Sequence, residues 1–334
     1  MPSVSPMSVS VIVPVHGGGE DFERCLSSLI ACNPAPEEIV VVADGPSDGA
    51  WRAAEAVGIP VFKLSRTGGP ARARNRGADK ARGDILFFVD ADVTVPPDAI
   101  RRVRSAFQHT PQPAAVFGSY DDEPGKKNFL SQYKNLFHHH VHQAGAVEAS
   151  TFWGACGAIR RDVFMEMGGF DETYRHPSIE DIELGYRLRR NGQRIRLDKD
   201  LQVKHLKRWD LGSLLKADIF YRALPWTGLI LDHGSMNDDL NLKVGSRMTA
   251  AACCLLMVVL AASVFVSTLL VAAAALILAL LWRDRETYRF FMKKRGLWFA
   301  IRTVPMVWLY YLYGSAAFAV GYVRHLYNRR ERAG

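Results

Sequence analysis

Residues 9–15 (VSVIVPV) form an unbroken apolar, β-branched run, after which apolar positions recur at helical spacing in Phe22, Cys25, Leu26, Leu29 and Ile30. The pattern predicts a buried strand followed by an amphipathic helix. It repeats, with strands expected over 38–43, 61–64 and 85–89 and helices over 50–57 and 71–81. Strands alternating with helices imply a parallel sheet covered on both faces. Further strands over 115–120, 152–160 and from 201 to His205, with a helix over 128–143, make the sheet mixed. The fold class is thus α/β, a Rossmann-like mixed sheet flanked by helices.

The periodicity changes after residue 210. An amphipathic helix is expected over 211–222 and an interfacial turn over 223–227. Residues 248–281 then run without a charge. As one helix this stretch would measure roughly 50 Å, against a hydrocarbon core of ~30 Å. Two shorter helices turning near Ser263 to Ser267 fit better. A third apolar and aromatic stretch, 297–323, contains Arg302 and Pro305 and reads as a kinked span or an interfacial helix. The expected division is an amino-terminal α/β domain over 1–226, a juxtamembrane linker over 227–247 and a membrane domain over 248–334 with two or three transmembrane helices.

Charge sharpens this division. The chain of 334 residues carries a net charge of +8, yet from Lys243 onward it has 13 basic residues against 3 acidic ones. The amino-terminal part is slightly acidic, which excludes nucleic acid as an expected partner. Basic clusters flanking the apolar stretches predict a multi-pass protein of the cytoplasmic membrane, its amino-terminal domain and middle loop cytoplasmic. Residues 1–8 have neither a basic nor an apolar leader segment, so no signal peptide is expected. Five cysteines, two inside the apolar run, give no disulfide framework and suit a reducing compartment.

Ligands of open α/β sheets bind beyond the carboxyl ends of the strands. There the chain places Pro14, Val15, His16 and a glycine run, then Asp44-Gly45, then Asp90-Ala91-Asp92. Two carboxylates at a spacing of two would share one side of a strand and suit Mg2+ or Mn2+. The cluster His138, His139, His140 and His142 has no acidic or Cys partner nearby and is expected on a helix surface, lining an acceptor groove. Glu180 and Asp181 open a helical pattern, where a carboxylate is held rigidly enough to act as a general base.

Taken together, VSVIVPV, EIVVVADGPSDG, GGPARARNRGADKARGDILFFVDADV, FWGACGAIRRDVF, MGGFDE and SIEDIELGYRLRRNG, in that order, resemble the family 2 glycosyltransferases with the GT-A nucleotide-sugar fold. The resemblance runs from Val9 to Trp226. It implies that Pro14, Val15, His16 and Asp44 hold the base and ribose of a nucleotide-diphosphate sugar, UDP before GDP or TDP, with Gly69, Pro70 and Arg74 completing that pocket. It further implies that Asp90 contacts ribose or metal, and that Asp92 coordinates a Mg2+ or Mn2+ with His205 as a further ligand. Asp181 would be the base and Glu180 its acidic neighbour. Ala43 departs from the family, many members of which carry a second Asp there.

The resemblance implies an inverting transfer of the sugar to a hydroxyl. Trp153, Gly154 and Cys156, with Lys207, Arg208 and Trp209, are candidates for the acceptor side, an aromatic face suiting a sugar ring and a basic pair a phosphate. Trp209 is equally placed to anchor the domain at a bilayer. The expected acceptor is membrane-associated, a lipid-linked saccharide or glycolipid. The alternatives are a polyprenyl-phosphate acceptor, which needs no base, and a non-catalytic membrane-anchored scaffold.

Overall fold

A computed structural model describes residues 7–46, 49, 51–234 and 240–333. Residues 1–6, Ala50 at the start of an expected helix, Ser47 and Asp48 of the second motif, and 235–239 of the expected linker lie outside them. The chain divides into two compact units, Met1–Trp209 and Asp210–Gly334.

In the first unit the strands are β1 (Val9–Val15), β2 (Glu38–Ala43), β3 (Val61–Lys63), β4 (Ile85–Val89), β5 (Val93–Thr94), β6 (Ala115–Tyr120), β7 (Glu148–Ala149), β8 (Cys156–Arg160) and β9 (Ile195–His205). The helices are α1 (Glu20–Ile30), α2 (Arg52–Ala56), α3 (Pro70–Lys80), α4 (Ala99–Ala106), α5 (Phe129–Gln143), α6 (Arg161–Glu166) and α7 (Glu180–Arg190). The strands form one mixed sheet in the order β3-β2-β1-β4-β8-β6-β9-β5, with β7 on β9. β3, β2, β1 and β4 are parallel. β8 runs antiparallel to β4 and to β6.

β1 reads as continuous apolar sequence because both of its faces are covered. Val9, Val11, Val13 and Val15 pack into a cluster with Phe22, Leu26 and Leu29 of α1 and Ile100 and Val103 of α4. Ile12 faces α3, where a Cβ added to Gly77 would lie 2.4 Å from Ile12 Cγ2. Each such side chain, fully buried, contributes roughly 1.5–3 kcal/mol. Ser10 is buried but satisfied: its hydroxyl donates to Glu38 Oε1 at 2.6 Å and accepts from Gly83 N at 2.8 Å.

The expected strand over 152–160 is shorter, beginning only at Cys156. Phe152 and Ala155 are buried from a loop, so their apolar character reflects packing and not a strand.

The second unit comprises α8 (Leu211–Asp218), a π-helical turn (Ile219–Ala223), α9 (Leu224–His233), a 3-10 turn (Leu240–Leu242), α10 (Val244–Ser263), α11 (Leu269–Arg283), α12 (Arg285–Arg295) and α13 (Leu297–Ala333). The interfacial turn expected over 223–227 is instead the start of α9, because Pro225 falls in the first turn of that helix, where a missing N–H is harmless. The long apolar stretch does break in two, between Ser263 and Leu269. Cys253, Leu256, Ala273 and Leu280 pack the resulting hairpin, and Trp308, Tyr311 and Leu312 of α13 lie against it. Its base is tied by polar contacts: Arg283 Nε donates to Thr249 Oγ1 at 3.0 Å and Arg283 Nη2 to the Gly245 carbonyl at 2.9 Å. α10 and α13 are long and apolar enough to cross a membrane, whereas α11 is shorter.

Candidate active site

The carboxyl ends of β1, β2 and β4 open onto one cavity of about 580 Å³. Pro14, Val15, His16, Asp44, Gly69, Pro70, Arg74, Asp90 and Asp92, all singled out from the sequence, line it together with Lys207. Arg175 and His176 line it too and carried no sequence signal.

Asp44 follows β2 and is 5% exposed. Its carboxylate accepts from Gly68 N at 2.7 Å and Gly69 N at 2.9 Å, fixing the turn that leads into α3. Gly69 has φ +90, and a Cβ there would lie 2.5 Å from the Arg175 carbonyl oxygen, so the close approach needs a glycine. His16 Nδ1 lies 2.8 Å from the Asp44 carbonyl oxygen. The first two strand ends are thereby locked to each other.

Arg74, on α3, is the electrostatic centre. Its Nη2 donates to Asp90 Oδ1 and its Nη1 to Glu180 Oε1, both at 2.7 Å. The arginine side chain is 5% exposed and that of Glu180 4%, whereas Asp90 keeps 32% of its side chain open. Burial alone would lower the guanidinium's pKa, but the charges of Asp90, Glu180 and Asp181 outweigh it and raise it further. Burial pushes the Asp90 carboxyl above its usual range, against the pull of Arg74.

Asp90 and Asp92 do not share a strand face, since β4 ends at Val89. They sit in the tight turn closed by Val93 N donating to the Asp90 carbonyl at 3.1 Å. β5 then pairs with β9, Val93 opposite His205, which brings His205 Nε2 to 3.5 Å from Asp92 Oδ2. His205 Nδ1 lies 2.7 Å from Asn135 Oδ1 on α5, which turns Nε2 toward Asp92. The imidazole is stacked on Tyr120 with ring centroids 4.5 Å apart. Burial raises the Asp92 carboxyl, but His205 and Lys207 together leave it below its ordinary value.

A carboxylate and an imidazole nitrogen side by side are a fitting donor set for Mn2+ or Mg2+. Among the described residues no group of three or more His, Cys, Asp or Glu gathers as a metal site. A cation held here would therefore complete its shell with substrate oxygens or water.

Glu180 and Asp181 begin α7 behind Arg74 and do not line the cavity itself. Glu180 is closed off, one oxygen on Arg74 and the other accepting Ser178 N at 2.9 Å. Asp181 is more open; it accepts Gly154 N at 2.8 Å and Ile182 N at 2.8 Å. Gly154 in turn abuts Arg74, its added Cβ falling 3.1 Å from Arg74 Cζ. Arg74 thus links the two acidic pairs.

On the expected acceptor side, Trp153 stands edge-on to Tyr120 at 4.8 Å and to His138 at 5.2 Å. Arg208 is exposed. Cys156 cannot contact an acceptor: it is fully buried on β8 among Val116 and Leu201, and burial raises its thiol pKa. Trp209 cannot anchor the domain in a bilayer, being 8% exposed, with its backbone N–H donating to Ser131 Oγ and its ring beneath Lys207 Nζ at 4.4 Å. The histidine cluster is not a helix surface either. His139 and His142 are buried, with Nδ1 against the carbonyl oxygens of Tyr120 and Gly118 on β6.

Cavity, strand-end carboxylates and sheet order define a nucleotide-sugar-binding GT-A fold. The Glycosyl transferase family 2 model matches residues 10–168. The mannosyltransferase PcManGT from Pyrobaculum calidifontis, solved with GDP-Man and Mn2+, superposes over 95% of this chain and 90% of its own with a TM-score of 0.62 at 19% identity, a likeness of fold. The glucosyl-dolichyl phosphate glucuronosyltransferase of Haloferax volcanii is 25% identical over 60% of this chain and 69% of its own. The pre-mycofactocin glycosyltransferase of Mycobacterium tuberculosis is 28% identical over 65% of this chain, a match spanning 46% of that longer protein. The amino-terminal unit is thus a glycosyltransferase domain, similar to family 2 over residues 10–168.

Proposed function

We propose that the protein transfers a sugar, with inversion and with the help of a divalent cation, from a nucleotide-diphosphate donor to a hydroxyl of a membrane-associated acceptor. The observation that carries this reading is the gathering of ten residues singled out from the sequence in one cavity beside the Asp92–His205 pair. In it, Pro14, Val15, His16, Asp44, Gly69 and Pro70 seat the nucleotide, UDP before GDP or TDP. Asp92 and His205 Nε2 would hold the cation, which as a Lewis acid offsets charge growing on the departing diphosphate. Asp90, ion-paired to Arg74, is better placed for the ribose than for the cation.

Of the two neighbouring acids, Asp181 is the base. Glu180 is closed off by Arg74 and Ser178, whereas Asp181 keeps solvent access and is held by two backbone N–H groups at a helix N-terminus. It would take the proton of the acceptor hydroxyl as that oxygen attacks the anomeric carbon opposite the diphosphate. Trp153, Gly154, Lys207 and Arg208 remain the acceptor candidates, with Trp209 shaping the site from beneath Lys207.

Membrane residence is supported by apolar side chains turned outward on the hairpin: Val258 64% exposed, Val271 77%, Leu278 66% and Phe265 89% at its tip. Water does not tolerate so contiguous a surface. The name of the Haloferax relative, a glucuronosyltransferase of glucosyl-dolichyl phosphate, supports an acceptor of the lipid-linked saccharide class. The test is donor hydrolysis and transfer by the purified full chain over a panel of UDP-, GDP- and TDP-sugars, with and without Mn2+. Failure to bind any nucleotide diphosphate would favour a non-catalytic scaffold.

A further inference from the structure

One face of α5 is polar although it is buried. Ser131, Asn135, His139 and His142 follow one another at spacings of three or four, so they lie on the same side of the helix. A helix that only filled the core would carry apolar side chains there. These four instead meet fixed points of the sheet and of the segment after it. His139 and His142 reach carbonyl oxygens of β6, and Ser131 Oγ accepts the Trp209 backbone N–H at 2.8 Å. Asn135 reaches His205.

The backbone around His205 is pinned on both sides. Its carbonyl accepts Gly125 N at 2.9 Å, and Leu206 N donates to the Asp92 carbonyl at 2.8 Å. What remains open is the direction of the imidazole. Tyr120 lies flat against it, the two ring planes 8° apart, which fixes the plane of the ring. A half-turn about Cβ–Cγ would keep that plane and yet exchange Nε2 with Cε1, presenting a carbon to Asp92 in place of a ligating nitrogen. The stack does not distinguish these two orientations, whereas a polar group at Nδ1 does. Asn135 Oδ1 is that group, 2.7 Å away. The Asn135 side chain gains little for itself: the residue is 1% exposed, and its Nδ2 has no hydrogen-bond partner among the described residues. A buried donor in that state costs stability, so core packing does not account for an amide at this point of α5.

We propose that Asn135 is a positioning residue for the divalent cation. Holding Nδ1, it selects the ring orientation that turns His205 Nε2 to Asp92. Groups that orient a ligating imidazole in this way tune metal affinity without touching the metal. The inference rests on the reading of Asp92 and His205 as cation ligands, and it adds the residue that makes the pair competent.

The test is calorimetric titration of Mn2+ into the full chain with UDP present, with the metal-free Tm read on each variant. Asn135→Leu, close in size, and Asn135→Ala, which adds no bulk, should each weaken Mn2+ about tenfold. Asn135→Asp, which keeps an oxygen in place, should recover most of the loss. Ser131→Ala, on the same face but bonded to Trp209, should lower Tm and leave Mn2+ affinity unchanged. In a His205→Ala background, Asn135→Leu should weaken Mn2+ no further. Wild-type affinity in both Asn135→Leu and Asn135→Ala, beside a weakened His205→Ala, would overturn the assignment, as would an Asn135→Leu loss that persists without the imidazole. His205→Ala binding Mn2+ as tightly as wild type would instead overturn the cation reading itself, and the positioning role with it.

Discussion

Replacing Arg74 by Met keeps the length of the side chain and removes the charge that Asp90 and Glu180 share. Breaking a buried ion pair from one side costs about 3–5 kcal/mol, because the remaining charge is left uncompensated. Here the two carboxylates contribute unequally. Asp90, with 32% of its side chain open, can be rehydrated and adds little. Glu180, 4% exposed, keeps only the Ser178 N–H and carries most of the loss. The expected cost is therefore about 3 kcal/mol, toward the lower end of that range. For a domain of this size it amounts to roughly 6–12 °C in Tm. A thermal-unfolding cycle with Glu180→Gln isolates the coupling: the double variant should recover at least half of the Arg74→Met loss, since a neutral amide needs no counter-charge. An Arg74→Met variant within about 1 kcal/mol of wild type, or a cycle with additive losses, would refute this reasoning, since large costs arise only where a buried charge is stranded.

Asp181→Asn should abolish transfer to a hydroxyl acceptor while leaving UDP affinity unchanged, and near-normal turnover would point to an acceptor that is already an anion, such as a polyprenyl phosphate. Cys156→Ala should lower stability without moving the KM for acceptor, because the thiol sits in the core. Gly77→Val should cost about 1–3 kcal/mol or more through overpacking against Ile12, measured by thermal unfolding. Glu38 is held below the ordinary carboxyl range: burial acts upward, but the Ser10 hydroxyl and the Arg82 N–H and charge outweigh it. The stability it contributes is present above the unfolded-state pKa and is lost as pH falls through the lower folded value. Ser10→Ala should therefore flatten the acid limb of a stability–pH profile.

The parallel half of the sheet was legible because β1, β2 and β4 are buried on both faces, which writes them as continuous apolar runs. The cavity was legible for a related reason: His16, Asp44 and Asp90 directly follow those strands, and open α/β sheets place their ligands there. What local pattern cannot convey is the pairing of distant groups. Arg74 meets Glu180 across 106 positions and His205 meets Asn135 across 70. No spacing rule connects such residues. The histidine cluster misled for the same reason, since the acceptors for His139 and His142 are backbone carbonyls of β6, whose positions depend on the packing of α5 against the sheet. Phe152 and Ala155 look like strand residues because loops that plug a core are as apolar as strands.

On the proposed function, Asp92, with His205 behind it, makes nucleotide-diphosphate binding depend on a divalent cation. Calorimetric titration of UDP into the full chain, with Mn2+ and then with excess EDTA, tests it most directly when repeated on Asp92→Asn. Tight binding with Mn2+ in wild type, lost both on chelation and in the variant, is the outcome required. UDP bound equally well without the cation, or unaffected by Asp92→Asn, would contradict it.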